Sequence, residues 1–283
     1  MKHTITLLVL LLLGMEVEAG NVFSVAKGRQ VEFASGNLQY CAKTGVFRFA
    51  AHQWTIIGMR NERISSTNRG WIDLFGWGTS GYDNRANDPD VIYVHPWDWM
   101  CRLEHSGNPK NPFGYGPSTT QPEPSMVGAS RQYDWGVYNA IKNGGNQPDM
   151  WRTLTCDEWQ YLLTGRKNAA RLRRLCVVHG VWGLLLLPDD FAGDSNASFR
   201  ELEKAGAVFL PGGGVRYHRT VTDAGTMGTY WSATAAGNDA AYFLGIYNHY
   251  AAMSSELYGR NAGRAVRLVR TAPSVGFPLK GQP

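Results

Sequence analysis

The residues best suited to recognition chemistry lie late in the chain, between positions 235 and 264. Asn238, Asp239, Tyr247, Asn248, His249, Tyr250, Ser254, Ser255, Tyr258, Arg260 and Asn261 all fall there. Tyrosine offers a large, stiff, amphipathic contact at low entropic cost, while serine and asparagine adapt their hydrogen bonds to a partner. Strand side chains alternate between two faces, so Tyr247, Asn248, His249 and Tyr250 cannot all point inward. The expectation is a binding surface made of these eleven side chains, for a protein or glycan ligand, with no cofactor. The competing reading is that the tyrosines pack a sheet and the asparagines and glycines form turns.

The same stretch has a coding property. Adenine-directed change of an asparagine codon reaches Tyr, His, Ser, Asp, Gly, Ala, Leu and Arg, but not Lys, Gln, Glu, Met or Trp. Between Ala235 and Arg264 only Met253 and Glu256 break that pattern, fewer exceptions than ordinary residue usage gives. The segment therefore has the composition of one that has been diversified.

Other reactive groups are less well organised. His95, Asp98, Cys101, Glu104 and His105 are close in sequence, but no helical or strand period places them on one face as a metal site needs. Asp157 and Glu158 are adjacent carboxylates in what reads as a helix's first turn, where the helix dipole favours them without catalysis. Asp189 and Asp190, with Asp194 and Asn196, could serve acid–base chemistry or calcium, although Asx residues commonly make turns. There is no G-x-S-x-G elbow, and Gly212-Gly213-Gly214 lacks the lysine and hydroxyl residue of a phosphate loop. Arg166, Lys167, Arg171, Arg173 and Arg174 form either an anion-attracting patch or a solvated face. Nothing near them resembles a nucleic-acid motif.

These groups must be positioned by a chain with formal net charge +5, only 18% charged residues, 33 glycines and 12% aromatic residues. Such a composition suits many turns and aromatic-filled corners. The N-terminus has Lys2 and His3, a short apolar run over residues 5–13, and Val17-Glu18-Ala19. This pattern predicts a secretory signal peptide over residues 1–19 and an exported protein in the periplasm, at the surface or outside the cell. No segment has the roughly 20 apolar residues of a spanning helix. Cys41, Cys101, Cys156 and Cys176 allow three disulfide pairings that sequence does not choose between, and none forms a C-x-x-C pair.

Patterning predicts strands at residues 22–25, 30–33, 46–49, 181–187, 208–210, 230–234, 241–247 and 264–269, the last half-buried with Arg267 outward. Residues 102–132 read as a long loop. A capping box, Thr155 with Glu158, opens a helix that Gly165 closes. A second helix is expected over residues 135–142. Residues 20–270 then form an α+β domain, and residues 271–283 a loose tail.

Several segments resemble a known family. Trp151-Arg152-Thr153-Leu154-Thr155-Cys156-Asp157-Glu158-Trp159 is similar to a segment of the formylglycine-generating-enzyme-like branch of the C-type-lectin-like fold. The runs at residues 70–81, 133–139, 183–191, 209–216, 228–234 and 263–270 resemble the Fibrobacter succinogenes major paralogous domain family. The resemblance implies a C-type-lectin-like fold: a small twisted antiparallel sheet, two flanking helices and long loops that carry binding. Trp231 and Arg267 would hold that scaffold. Some relatives are ligand-binding products of diversity-generating retroelements, with variable positions in the last strands and loops. Formylglycine-generating oxidases need cysteines near the C-terminus, whereas none follows Cys176 here. The expectation is an exported ligand-binding domain. The alternatives are an enzyme relative with altered or lost chemistry and a structural cell-surface component.

Overall fold

The computed structural model describes residues 21–83, 85–86, 95–97, 125–237, 240–255 and 259–273. Within them the protein is α+β, with five small antiparallel sheets and few helices. The chain opens with a hairpin, β1 (Phe23–Ala26) and β2 (Arg29–Phe33), then a second, β3 (Leu38–Cys41) and β4 (Val46–Phe49). A 3-10 turn, Gly58–Arg63, follows. Another at Gly128–Tyr133 leads into α1 (Trp135–Tyr138).

Next come α2 (Cys156–Gln160), extended by a π-helical turn Tyr161–Gly165, and the hairpin β5 (Arg173–Val178) with β6 (Val181–Leu186). His179 and Gly180 connect these strands with φ of 49° and 80°. Positive φ at both central residues is the geometry that matches the natural twist of a two-residue hairpin, and glycine adopts it without steric cost. The remaining elements are α3 (Phe199–Lys204), β7 (Val208–Pro211), β8 (Val215–Tyr217), β9 (Thr220–Thr222), β10 (Gly228–Ala236), β11 (Ala240–Ile246), β12 (Ala251–Ser254) and β13 (Val269–Thr271).

Two sheets matter for the site. In one, the order is β5-β6-β7; in the other it is β10-β11-β12. A third joins the two ends of the described chain, with β13 beside β2 and Val269 opposite Phe33. Between the sheets lie three apolar clusters. One gathers Phe75, Trp77, Trp135, Trp151 and Trp231. The second gathers Trp159, Leu162, Leu184, Leu244 and Val269, and the third Leu185, Leu202 and Phe209.

The predicted cap of α2 is present. Thr155 Oγ1 accepts from the Glu158 N–H at 3.2 Å, and Glu158 Oε2 accepts from the Thr155 N–H at 3.0 Å. Such a cap contributes about 1 kcal/mol. The helix predicted over residues 135–142 is instead a single turn. Asn139 leaves it in extended conformation, its Nδ2 donating to the carbonyls of Trp135 and Ser80. Lys142 N–H then goes to the Phe47 carbonyl, so a β-type contact displaces the next helical turn.

The strand expected over residues 264–269 is also corrected. Residues 262–269 are all buried, and bridges tie Arg264 to Phe75 and Ala265 to Tyr230. The segment threads between sheets, so both faces are covered and Arg267 points inward. Its Nε donates to Asn37 Oδ1 at 3.0 Å, and its Nη1 and Nη2 donate to the carbonyls of Ala34 and Phe209 at 3.2 and 2.8 Å. The expected tail begins in structure, since Thr271 closes β13 and Ala272 N–H reaches the Gln30 carbonyl. Trp231 is buried, and its Nε1 donates to the Phe75 carbonyl at 2.7 Å. No helix of the described residues is long and apolar enough to cross a membrane.

Candidate functional site

β10, β11 and β12 build the frame for the expected recognition segment. Tyr230 faces Leu244 and Trp231 faces Phe243 across β10 and β11, and all four are buried. Arg264 lies 3.6 Å over the Phe243 ring and 4.8 Å over Trp231. A cation held over aromatic faces away from water is a stabilising contact. On this rigid base the chain turns between β11 and β12. The Tyr247 N–H donates to the Tyr250 carbonyl at 2.9 Å, which closes the turn.

The two tyrosine rings pack at 4.8 Å. Tyr247 lies back over the sheet, where a Cβ on Gly245 would stand 2.5 Å from its ring. Only glycine leaves room for that approach. Burial, then the neighbouring Tyr250, pushes the Tyr247 phenol up. Trp182 Nε1 adds a bond to the Tyr247 carbonyl at 3.3 Å. Asn248, His249 and Tyr250 are left facing solvent, with Tyr250 57% exposed.

Beside this turn runs a groove of about 260 Å³ lined by Arg173, Arg174, Leu175, His249, Tyr250 and Ala251, among others. It lies where β5 and β12, the outer strands of their sheets, approach each other. Arg173 Nη1 reaches the Ala251 carbonyl at 3.4 Å. Strand alternation puts Arg173 on the face of Leu175 and Arg174 on the opposite face. There Arg174 Nη1 lies 3.4 Å from Asn196 Oδ1, and its buried Nε has no acceptor. Neither arginine pairs with a carboxylate among the described residues. The groove thus combines the cationic donor of Arg173, an imidazole and an exposed phenol on a backbone fixed from behind.

The predicted site residues fall into four groups. Tyr247, Asn248, His249 and Tyr250 come together on one turn. Ser254, Ser255 and Asn261 are half-buried, Ser254 within β12. Asn238, Asp239 and Tyr258 lie outside the described residues, as do residues 98–124, most of the expected long loop. Arg260 is a correction. It is fully buried, donates to the carbonyls of Ala240 and Gly237, and lies 5.1 Å over Trp77, so it cannot meet a ligand at the surface.

The basic cluster divides in the same way. Arg166 is buried and donates to the carbonyls of Leu162, Leu172 and Leu187 and to Asp189 Oδ1. It is a bracket between the end of the α2 segment and β6, not part of an anion-attracting patch or a solvated face. Arg173 reaches the groove, whereas Arg174 borders it from β5 with its guanidinium turned to Asn196. Sequence reasoning saw the arginines and the tyrosines separately, but no local signal states that positions about 75 apart meet.

Other candidate groups prove structural. Asp189 Oδ2 accepts from the Ser24 N–H, Ser24 Oγ and Gln30 Nε2, so its oxygens are occupied by the fold. Glu158 holds Arg152 bidentately at 2.7 and 2.8 Å. Burial pushes its carboxyl up, but the Arg152 and Thr155 bonds prevail and hold it below the usual value. A carboxylate whose ionised form is favoured in this way suits anchoring better than proton transfer. His95 stacks on Trp97 at 4.6 Å, and Asp98, Cys101, Glu104 and His105 lie outside the described residues. Among the described residues no three metal-ligating side chains gather. Cys41, Cys156 and Cys176 carry free thiols, and burial pushes those of Cys156 and Cys176 up.

No protein-family model, no curated protein and no solved structure matches this chain.

Proposed function

We propose that the protein is an exported ligand-binding domain with a C-type-lectin-like fold, related to the Fibrobacter succinogenes major paralogous domain family. It recognises its ligand through the turn from Tyr247 to Ala251 and the adjoining Arg173 groove. One observation carries the reading: Asn248, His249 and Tyr250 stand exposed on a strand frame whose neighbours Tyr230, Trp231, Phe243, Leu244 and Ile246 are buried. A fixed backbone presenting adaptable polar and aromatic side chains is the arrangement that binding loops use, because little order is lost when the ligand arrives. The capped α2 in the segment that resembles the family, and the burial of Trp231 and Arg267, support the fold assignment. The asparagine-codon composition of residues 235–264 supports diversification of this face by a retroelement.

The test is binding of the purified chain to arrays of immobilised glycans and of protein extracts, beside the variants Tyr250→Ala and His249→Ala. The expected result is a discrete set of bound features that both variants lose while remaining folded by circular dichroism. Array signals that persist unchanged in both variants would overturn the assignment of this face.

A further inference from the structure

A second cavity, distant in sequence from the β11–β12 turn, has a different chemistry. It measures about 290 Å³ and is lined by Ile57, Arg60, Arg63, Asn68, Gly70 and Trp71. The 3-10 turn Gly58–Arg63 supplies two of these residues. A 3-10 helix has three residues per turn, so positions three apart eclipse. Arg60 and Arg63 therefore stack on one side, and both are exposed.

The side-chain donors around this cavity outnumber the acceptors. Asn68 Oδ1 already accepts from the Gly70 N–H at 2.9 Å, which leaves its Nδ2 to donate. Asp73 is buried behind Ile57, and its oxygens accept from the Ile57 N–H at 2.9 Å and Asn61 Nδ2 at 2.8 Å. Glu62, on the same turn, accepts from the Val221 N–H. Among the described residues the guanidiniums of Arg60 and Arg63, Asn68 Nδ2 and Trp71 Nε1 make no hydrogen bond or ion pair. A further cation adjoins them, since Arg48 Cζ lies 3.6 Å over the Trp71 ring. Burial lowers the pKa of that guanidinium, but arginine stays charged at any physiological pH.

We propose that this cavity binds a sulfate or phosphate monoester carried on a single ring. Two guanidiniums on one side of the turn, with an amide and an indole N–H, offer donors from several directions. That suits the three free oxygens of a tetrahedral ester better than the flat pair of a carboxylate. Trp71 supplies the apolar wall for the ring. The volume is at the small end of ligand pockets, which begin near ~300 Å³, so one ring with one charged substituent fits and an oligomer does not. The site is independent of the Tyr250 face.

Isothermal titration calorimetry of the full chain with glucose 6-sulfate, glucose 6-phosphate, glucuronate and glucose tests this. The expected result is saturable binding of an ester, the tighter one marking the source as a sulfated or a phosphorylated sugar. Glucose should give none and glucuronate weaker binding. Arg60→Ala and Arg63→Ala should each weaken the ester by about tenfold, the loss of a charged hydrogen bond. Tyr250→Ala should leave it unchanged. These arginines bond nothing in the fold, so both variants should keep the parent circular dichroism spectrum. Absence of ester binding, glucose or glucuronate binding as tightly as the esters, or unchanged affinity in the Arg60→Ala/Arg63→Ala double variant would each overturn the proposal.

Discussion

Arg260 Nη2 donates to the Gly237 carbonyl at 2.7 Å, while its Nε donates to the Ala240 carbonyl at 3.0 Å. One guanidinium thus grips both shoulders of the link between β10 and β11. The planar fork of arginine spans two carbonyls that a lysine ammonium, as a point charge, cannot reach together. Arg260→Ala leaves those carbonyls without their donor and removes the cation from Trp77. It should cost about 2–4 kcal/mol of stability, read as a lower urea midpoint with an unchanged slope. Arg260→Lys should recover little of it. A midpoint equal to the parent's in either variant would show that the clamp is dispensable.

Two buried carboxyls give the protein an acid-side stability gain. Burial outweighs the N–H donors around Asp73 and Asp134 and raises each from 3.8 to about 6. A group whose folded pKa is raised holds its proton more tightly in the native state. Its stabilising effect is full below the ordinary pKa and is lost as pH rises through the folded one. Denaturant midpoints should therefore climb from pH 7 down to about pH 4.5, by up to about 2–3 kcal/mol per group. The lowered Glu158 carboxyl opposes this only further down, near and below its ordinary value of 4.5. Asp134→Asn removes one of the two titrations, so the climb should shrink by about half. It should also lower overall stability, because Asp134 accepts from the N–H groups of Thr153 and Gly136 and an amide supplies only one accepting oxygen. A pH profile as steep in Asp134→Asn as in the parent would assign the slope to other groups.

The exposed turn should tolerate change where its frame does not. Asn248→Ala, His249→Ala and Tyr250→Ala should each shift stability by no more than about 0.5 kcal/mol, the usual range for surface positions. Deep sequencing of codons 231–268 across the source population extends the same contrast. Substitutions are expected at 247–250, with Trp231, Gly245, Val266 and Leu268 constant. A uniform segment would remove the diversification argument and leave a fixed recognition face.

Local patterns in the sequence carried much of this architecture. The Thr155–Glu158 capping box, the strand after Gly180 and the exposure of Asn248 to Tyr250 follow from neighbours a few residues apart, whereas β5, the partner of that strand, gave no such pattern. The short α1 and the buried course of residues 262–269 do not. Asn139 exchanges a helical bond for the Ser80 carbonyl, and Arg267 is satisfied by Asn37, Ala34 and Phe209, all remote in the chain. A lone arginine in an alternating run reads as outward; only distant carbonyls reveal that it points inward. The candidate groove is hidden for the same reason, because β5 and β12 meet only after every intervening strand is in place.

β13 lies beside β2, with Thr271 opposite Val31 and Arg270 opposite Glu32. Arg270 Nε donates to Glu32 Oε2 across this pair at 2.7 Å. During synthesis, β2 has to wait for every element from β3 to β12 before its partner β13 leaves the ribosome. Loop closure over that span is entropically costly and makes such contacts late events. Vectorial emergence therefore delivers an open molecule, with the outer edge of β2 unpaired until β13 arrives. A nascent chain halted before residue 269 would present that bare edge, the kind of surface that holdase chaperones shield and that aggregation exploits.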